Sequence, residues 1–151
     1  MRTGVRLGVD VGTVRIGVAR SDRDGILATP VETVARDDRA IDRVSSIATE
    51  LDCIEIYVGL PVSMAGTHTA STRDAISFAQ ELARQSGFEV RFIDERLTTV
   101  SAHAALRTSG KKASHSRSVV DQVAAVMLLQ HALDSERARD AVPGTSVADH
   151  S

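Results

Sequence analysis

Residues 5–21 read VRLGVDVGTVRIGVARS, and a single carboxylate, Asp10, stands between Gly8 and Gly12 in an otherwise apolar alternation. Val5, Leu7, Val9 and Val11 share one face, and Arg6, Gly8, Asp10 and Gly12 share the other. Period two marks a strand, half-buried when its two faces differ this much. Gly12-Thr13 is a turn signal, and Val14, Ile16 and Val18 resume the alternation, so the stretch predicts a β-hairpin. Gly17 and Ala19 of the return arm fall on the face of Asp10. An acid among such small residues is open to a cation and to a phosphate. The other reading is a structural Asp bracing the hairpin, and spacing leaves both open.

Outward from the hairpin, a third strand is expected over 27–34, after Asp24-Gly25. Residues 38–51 change to helical spacing, with Ile41, Val44, Ile47, Ala48 and Leu51 on one face and Asp37 or Asp38 at the N-cap. Ile54, Ile56 and Val58 predict a strand that ends at Gly59-Leu60-Pro61. A loop through Gly66-Thr67 leads to a helix over 70–85, with His68–Thr72 as a capping segment and Gly87 as the stop. FEVRFI at 88–93 predicts a strand running into Asp94-Glu95-Arg96. A helix over 99–108, a polar loop over 109–117 and a helix over 118–136 follow. Val120, Val123, Ala124, Met127, Leu128 and His131 mark the face of that last helix. The expected fold is α/β: a central mixed five-stranded sheet, built as a three-strand meander and then alternating helices and strands, flanked by helices. Residues 1–137 are expected to form one domain, and 138–151 a flexible tail.

Composition narrows the function. The chain has 151 residues, 42% hydrophobic and 25% charged, with a net charge of −2. That balance argues against coating nucleic acid by bulk charge and leaves room for a local basic patch. Aromatics are confined to Tyr57, Phe78, Phe88 and Phe92, so base stacking on an aromatic platform is not the expected mode of recognition. Cys53 is the only cysteine, which rules out an intrachain disulfide or a Cys-rich zinc site and suits a reducing cytoplasm. No apolar run approaches the ~18 residues of a membrane span. The five histidines show no regular ligand spacing.

Two further acidic positions could join Asp10. Asp94-Glu95 lies at a strand end, where ligands of such sheets sit. Alternation lets only one of the pair face Asp10, and Arg96 could brace a carboxylate or meet a phosphate. Read alone, the triplet is a surface salt-bridge cluster. Asp121 opens the last helix beside its apolar face; it is read either as a dipole-complementing first-turn acid or as a third ligand. Three converging carboxylates would repel unless a hard cation such as Mg²⁺ or Mn²⁺ resolved the charge. Two such ions ~3.5–4 Å apart would suit phosphodiester hydrolysis. Residues 96–117 carry Arg96, Arg107, Lys111, Lys112 and Arg117 and no acid, a basic segment that either grips phosphates or is merely solvated.

The segments LGVDVGTVRIGVARSD, VGLPVSMAGT, DERLTT and VVDQVAAVMLLQ, in this order, resemble the YqgF/RuvX family over roughly residues 5–134. That family comprises Holliday-junction-resolvase-like proteins of the ribonuclease H-like fold, associated with pre-16S rRNA cleavage. The resemblance implies catalytic, metal-binding acids at Asp10, Glu95 and Asp121, and so picks Glu95 over Asp94. It implies nucleic-acid contacts at Arg96, Lys111, Lys112 and Arg117, with Mg²⁺ or Mn²⁺ as cofactor. The implied partner is nucleic acid, pre-16S rRNA or branched DNA, in the cytoplasm and without a membrane, handled by a monomer or homodimer. Two positions depart from the family: Ser63 stands where Asn is frequent, and Ser118 where Lys is frequent. Two other classes compete. An actin/Hsp70-like ATPase shares the Asp-Val-Gly-Thr hairpin, but its two lobes would each need about this whole length. A non-catalytic RNA-binding ribosome-assembly factor could keep the fold alone.

Overall fold

The computed structural model describes residues 1–97 and 114–149. Strand β1 (Val5–Val11) pairs antiparallel with β2 (Arg15–Ser21), which pairs antiparallel with β3 (Ala28–Ala35). Helix α1 (Ala40–Glu50) leads to β4 (Cys53–Leu60), parallel to β1. Helix α2 (Ala70–Ser86) leads to β5 (Val90–Asp94), parallel to β4. A 3-10 turn (Glu95–Leu97) ends this part. Helix α3 (Ser114–Arg139), a two-residue strand β6 (Thr145–Ser146) and a 3-10 turn (Val147–Asp149) close the described chain. The sheet order is β3-β2-β1-β4-β5-β6.

The meander and the alternation that follows it are as the pattern predicts, with a sixth short strand added. β6 pairs antiparallel with the β5 edge, Phe92 against Thr145, and Val147 is buried behind it. Part of the expected flexible tail therefore lies on the sheet. The reason is a long-range contact: Arg91 donates from Nε to the Pro143 carbonyl and from Nη2 to that of Gly144, both at 2.7 Å, which fixes the polar turn that short-range polarity marks as loose. The last helix begins at Ser114 rather than near 118; polar residues signal exposure but do not break a helix, and neither Gly nor Pro occurs between Gly110 and Arg139. The helix expected over 99–108 lies outside the described residues.

Each helix is positioned by an identifiable local cause. Thr69 caps α2 reciprocally with Thr72, and Gly87 ends it in the left-handed region at φ 75°. α1 starts one residue after Arg39, whose backbone N–H is held by Asp37 at 2.9 Å; no side chain caps the helix itself, so the expected Asp N-cap acts one step upstream. α1 and α2 cover one face of the sheet over Leu7, Val9, Ile16, Val18, Ile56 and Val58. α3 covers the other with Ala124, Ala125, Leu128, Leu129, Ala132 and Leu133, against Ala19, Tyr57 and Ile93. Its buried face is thus rotated from the one expected, and Val123 and His131 stand on its flanks.

This second covering changes the reading of the hairpin. The polar face of β1 is not open: Arg6 is fully buried and Asp10 is 6% exposed. A Cβ on Gly8 would lie 2.8 Å from Leu129 Cβ, and one on Gly17 would lie 2.5 Å from the Asp121 carbonyl carbon. The glycines there admit the α3 backbone rather than a ligand. At the other end of the same face, Arg2 reaches both Glu136 (Nη2 to Oε1, 2.8 Å) and Glu55 (Nη2 to Oε1, 2.9 Å), and Arg6 adds a contact to Glu136 at 3.2 Å. Tyr57 donates its hydroxyl to Glu55. This buried ionic cluster locks the C-terminal half of α3 onto β1 and β4. Arg2 holds Glu136 down to a pKa of about 2.

Candidate active site

The three implied acids come from three elements that meet at one corner of the sheet. Asp10 is the penultimate residue of β1 and pairs with Gly17 of β2. Asp121 lies on α3 with its backbone against Gly17, so the helix places it over the partner of Asp10. Glu95 follows β5 directly, and its Oε2 lies 2.9 Å from where a Gly59 Cβ would be. Val58 pairs with Val9, so the next residue pair along this register sets Gly59 beside Asp10. All three sites lie at the carboxyl ends of the parallel strands β1, β4 and β5, the edge where sheets of this kind hold ligands.

The carboxylates are shielded to different degrees. Asp10 and Asp121 are 6% and 8% exposed, and Glu95 is partly exposed. Asp121 accepts from Arg15 Nε at 3.3 Å. Each of the three acids is engaged by a neighbouring group. Carboxylate oxygens are the donor set that Mg²⁺ or Mn²⁺ prefers, so the residue types fit such an ion. Among the described residues, however, no three acid, His or Cys side chains lie close enough together to hold a metal as they stand.

Asp94 and Arg96 behave as the local salt-bridge reading has it. Arg96 donates to Asp94 from Nε at 3.1 Å, from Nη2 at 2.6 Å and from its backbone N–H at 2.9 Å. This pairing lowers the Asp94 pKa below the usual carboxylate range, with the Arg96 side chain as the largest cause. The alternation therefore separates the two neighbours: Asp94 turns to Arg96, and Glu95 to the β4 corner. Arg96 also reaches the loop after β4, donating from Nη1 to the Met64 carbonyl at 3.4 Å. Lys111 and Lys112 lie outside the described residues. Arg117 falls within α3, but its side chain lies outside the described ones.

Two arginines at this corner escaped the sequence reading. Arg15 shares the period-two face of Gly17 and Ala19, which was signal enough to bring it beside Asp121. Arg36 has no such signal. It donates to the Gly12 carbonyl at 2.9 Å, forms a two-point pair with Asp74 at 2.9 Å and lies 5.0 Å over the Phe78 ring. It thereby ties the turn after Asp10 to α2, a long-range contact that no local pattern encodes.

Known structures share this architecture. Thermus thermophilus RuvC in complex with a Holliday junction substrate superposes with a TM-score of 0.58 at 16% identity, covering 95% of this chain and 99% of that one. A second Thermus thermophilus RuvC structure gives 0.55 at 16% identity, covering 94% and 99%. At that identity the likeness defines the fold, which is ribonuclease H-like and of the RuvC type. The RuvX family profile, described as Holliday junction resolvase, matches residues 4–135, and the chain belongs to that family. Relatives bearing the name "putative pre-16S rRNA nuclease" include one from Leifsonia xyli subsp. xyli, 60% identical over 97% of this chain and 96% of its own length. Another, from Clavibacter michiganensis subsp. michiganensis, is 54% identical over 97% and 93%. Among the described residues, no helix is long and apolar enough to cross a membrane.

Proposed function

We propose that the protein is a metal-dependent endonuclease that hydrolyses phosphodiester bonds in 5′-end processing of pre-16S rRNA, with branched DNA as a second substrate class. What supports this reading is that, in a chain of the RuvX family, Asp121 stands over Gly17, the partner of Asp10, and Glu95 stands by Gly59 on the neighbouring strand. Asp10, Glu95 and Asp121 would hold Mg²⁺ or Mn²⁺, which when bound activates water and stabilises the leaving oxygen in a two-metal-type displacement. Arg15 balances the Asp121 carboxylate in the arrangement described here. Asp94 fixes the Arg96 guanidinium at the rim, so that its outer N–H groups are oriented toward a strand entering past the loop after β4. Lys111, Lys112 and Arg117 would add phosphate contacts. A cytoplasmic monomer or homodimer suits the single cysteine and, for a symmetrical junction, a twofold assembly.

The lack of a closed acidic cluster among the described residues favours a second reading, a non-catalytic RNA-binding assembly factor. One experiment separates the two. Wild type and Asp10→Asn are incubated with Mn²⁺ or Mg²⁺ on a four-way DNA junction and on an RNA spanning a pre-16S 5′ end. Metal-dependent cutting that disappears in Asp10→Asn is expected. If neither substrate is cut while both proteins bind the RNA equally, the nuclease reading fails and the assembly-factor reading stands.

A further inference from the structure

A groove of about 260 Å³ runs along the flank of α3 that faces away from β1. One wall is polar: His131, Ser135 and Arg139, each four residues from the next and so in file on one helix face, ~6 Å per step. The facing wall is mostly apolar, made by Ile93, Leu97, Val142 and Pro143, with the Arg96-paired Asp94 among them. Among the described residues, no hydrogen bond or ion pair engages the three polar side chains. The acids around the groove are already balanced. Asp94 is held by Arg96, Asp134 by Arg137 at 3.0 Å, and Asp140 by the N-terminal amine at 3.6 Å. Arg139 thus gives the groove an uncompensated positive charge. Ile93, Asp94 and Leu97 place the groove at the end of β5, beside the segment that carries Glu95.

A site with one mostly apolar wall and one row of phosphate-binding side chain types fits a nucleotide. Its volume is below the ~300–1,000 Å³ of ordinary small-molecule sites and far too small for a duplex. We infer that the groove takes one nucleotide of a single strand that runs past the end of β5, with base and ribose against Leu97 and Val142 and the phosphate on Arg139, Ser135 and His131. This inference rests on the nucleic-acid reading of the preceding subsection and extends it to a defined strand path.

The test reads binding rather than cleavage. Fluorescein-labelled single-stranded RNA and DNA hexamers are titrated with the full chain in EDTA, at several salt concentrations, by anisotropy. Arg139→Ala is expected to weaken binding at least about fivefold and to lower the slope of log K against log[salt] by about 0.7, one single-strand phosphate contact. Leu97→Ser is expected to weaken binding with the salt slope unchanged. Arg84→Ala on α2, across the sheet, removes the same charge and leaves both quantities alone. The inference is overturned if Arg139→Ala and Arg84→Ala behave alike, or if the wild type binds neither hexamer. Failure here leaves the acids untouched. Conversely, binding through Arg139 by a protein that never cuts would sink the nuclease reading and keep the groove.

Discussion

Gly17→Ala tests the claim that one residue governs both the packing of α3 and the geometry of the acidic corner. The added Cβ would lie 2.5 Å from the Asp121 carbonyl carbon, with the carbonyl oxygen nearer still. Ordinary contact begins at 3.4 Å, so the start of α3 must retreat by about 1 Å. The obstacle is helix backbone, which cannot rotate away as a side chain can. Overpacking of this kind costs about 1–3 kcal/mol, which for a chain of this length lowers the melting temperature by several degrees. Displacement of reacting groups by about 1 Å costs up to a hundredfold in rate. Gly8→Ala is the matched comparison: its Cβ would meet Leu129 Cβ at 2.8 Å and the Ala125 carbonyl at 3.1 Å, one turn of α3 further from Asp121. The expected result is that both variants melt lower, and that Gly17→Ala loses more cleavage activity than Gly8→Ala at temperatures where both are folded. Amide chemical shifts around Asp10 give a readout that needs no substrate. If Gly17→Ala melts with the wild type and leaves those shifts in place, the close-approach argument is wrong.

Two further outcomes follow from buried groups. Glu136 is 2% exposed, and Arg2 lowers its pKa from 4.5 to about 2, so its contribution is complete above about pH 4.5 and is lost as pH falls toward 2. At about 1.4 kcal/mol per tenfold, that is about 3 kcal/mol. Urea midpoints of the wild type should drop across this window, while Glu136→Gln starts lower at neutral pH and loses less; parallel pH profiles would refute the assignment. Burial pushes the Cys53 thiol from 9.0 up to about 11, leaving about a hundredfold less thiolate. Iodoacetamide at pH 8 should therefore label the folded protein far more slowly than the protein in urea, and equal rates would show that the thiol is accessible.

The parts of this fold legible in the sequence are those set by short-range period. The hairpin register follows from alternation, and Asp10 does pair with Gly17, and Gly8 with Ala19. The α2 boundaries follow from Thr69 and Gly87, which act on their own neighbours. What the sequence hid depends on distant partners. The strand face of Arg6, Gly8 and Asp10 is polar by composition and reads as open, yet α3 covers it. The charge of buried Arg6 is met by Glu136, 130 residues away, and its Nη1 and Nη2 groups also donate to the Gly4 and Arg2 carbonyls. The short strand at Thr145 exists because Arg91 captures the turn before it, again a contact between segments far apart in the chain. The relative position of the acids lies between these cases. Period two brings Asp10 and Arg15 to the right face, but only the tertiary crossing of α3 sets Asp121 above Gly17.

That crossing also accounts for the division of the α3 face into two ends. At one end Arg2, Arg6, Glu55, Tyr57 and Glu136 form a buried ionic cluster. Replacing such clusters by apolar residues is often neutral or stabilising, so net stability does not explain its presence. Removing one partner is costly, and that directional penalty fixes where α3 sits along β1 and β4. At the other end, Asp121 lies over Gly17, the β2 partner of Asp10, and accepts from Arg15. A helix free to slide along the sheet would carry Asp121 away from that position. With the far end clamped and small residues at 8 and 17 seating the backbone, it cannot do so, and Asp121 stays over the partner of Asp10. Loosening the clamp by Arg2→Ala should therefore shift Asp121, about four turns of α3 away, as well as lower stability.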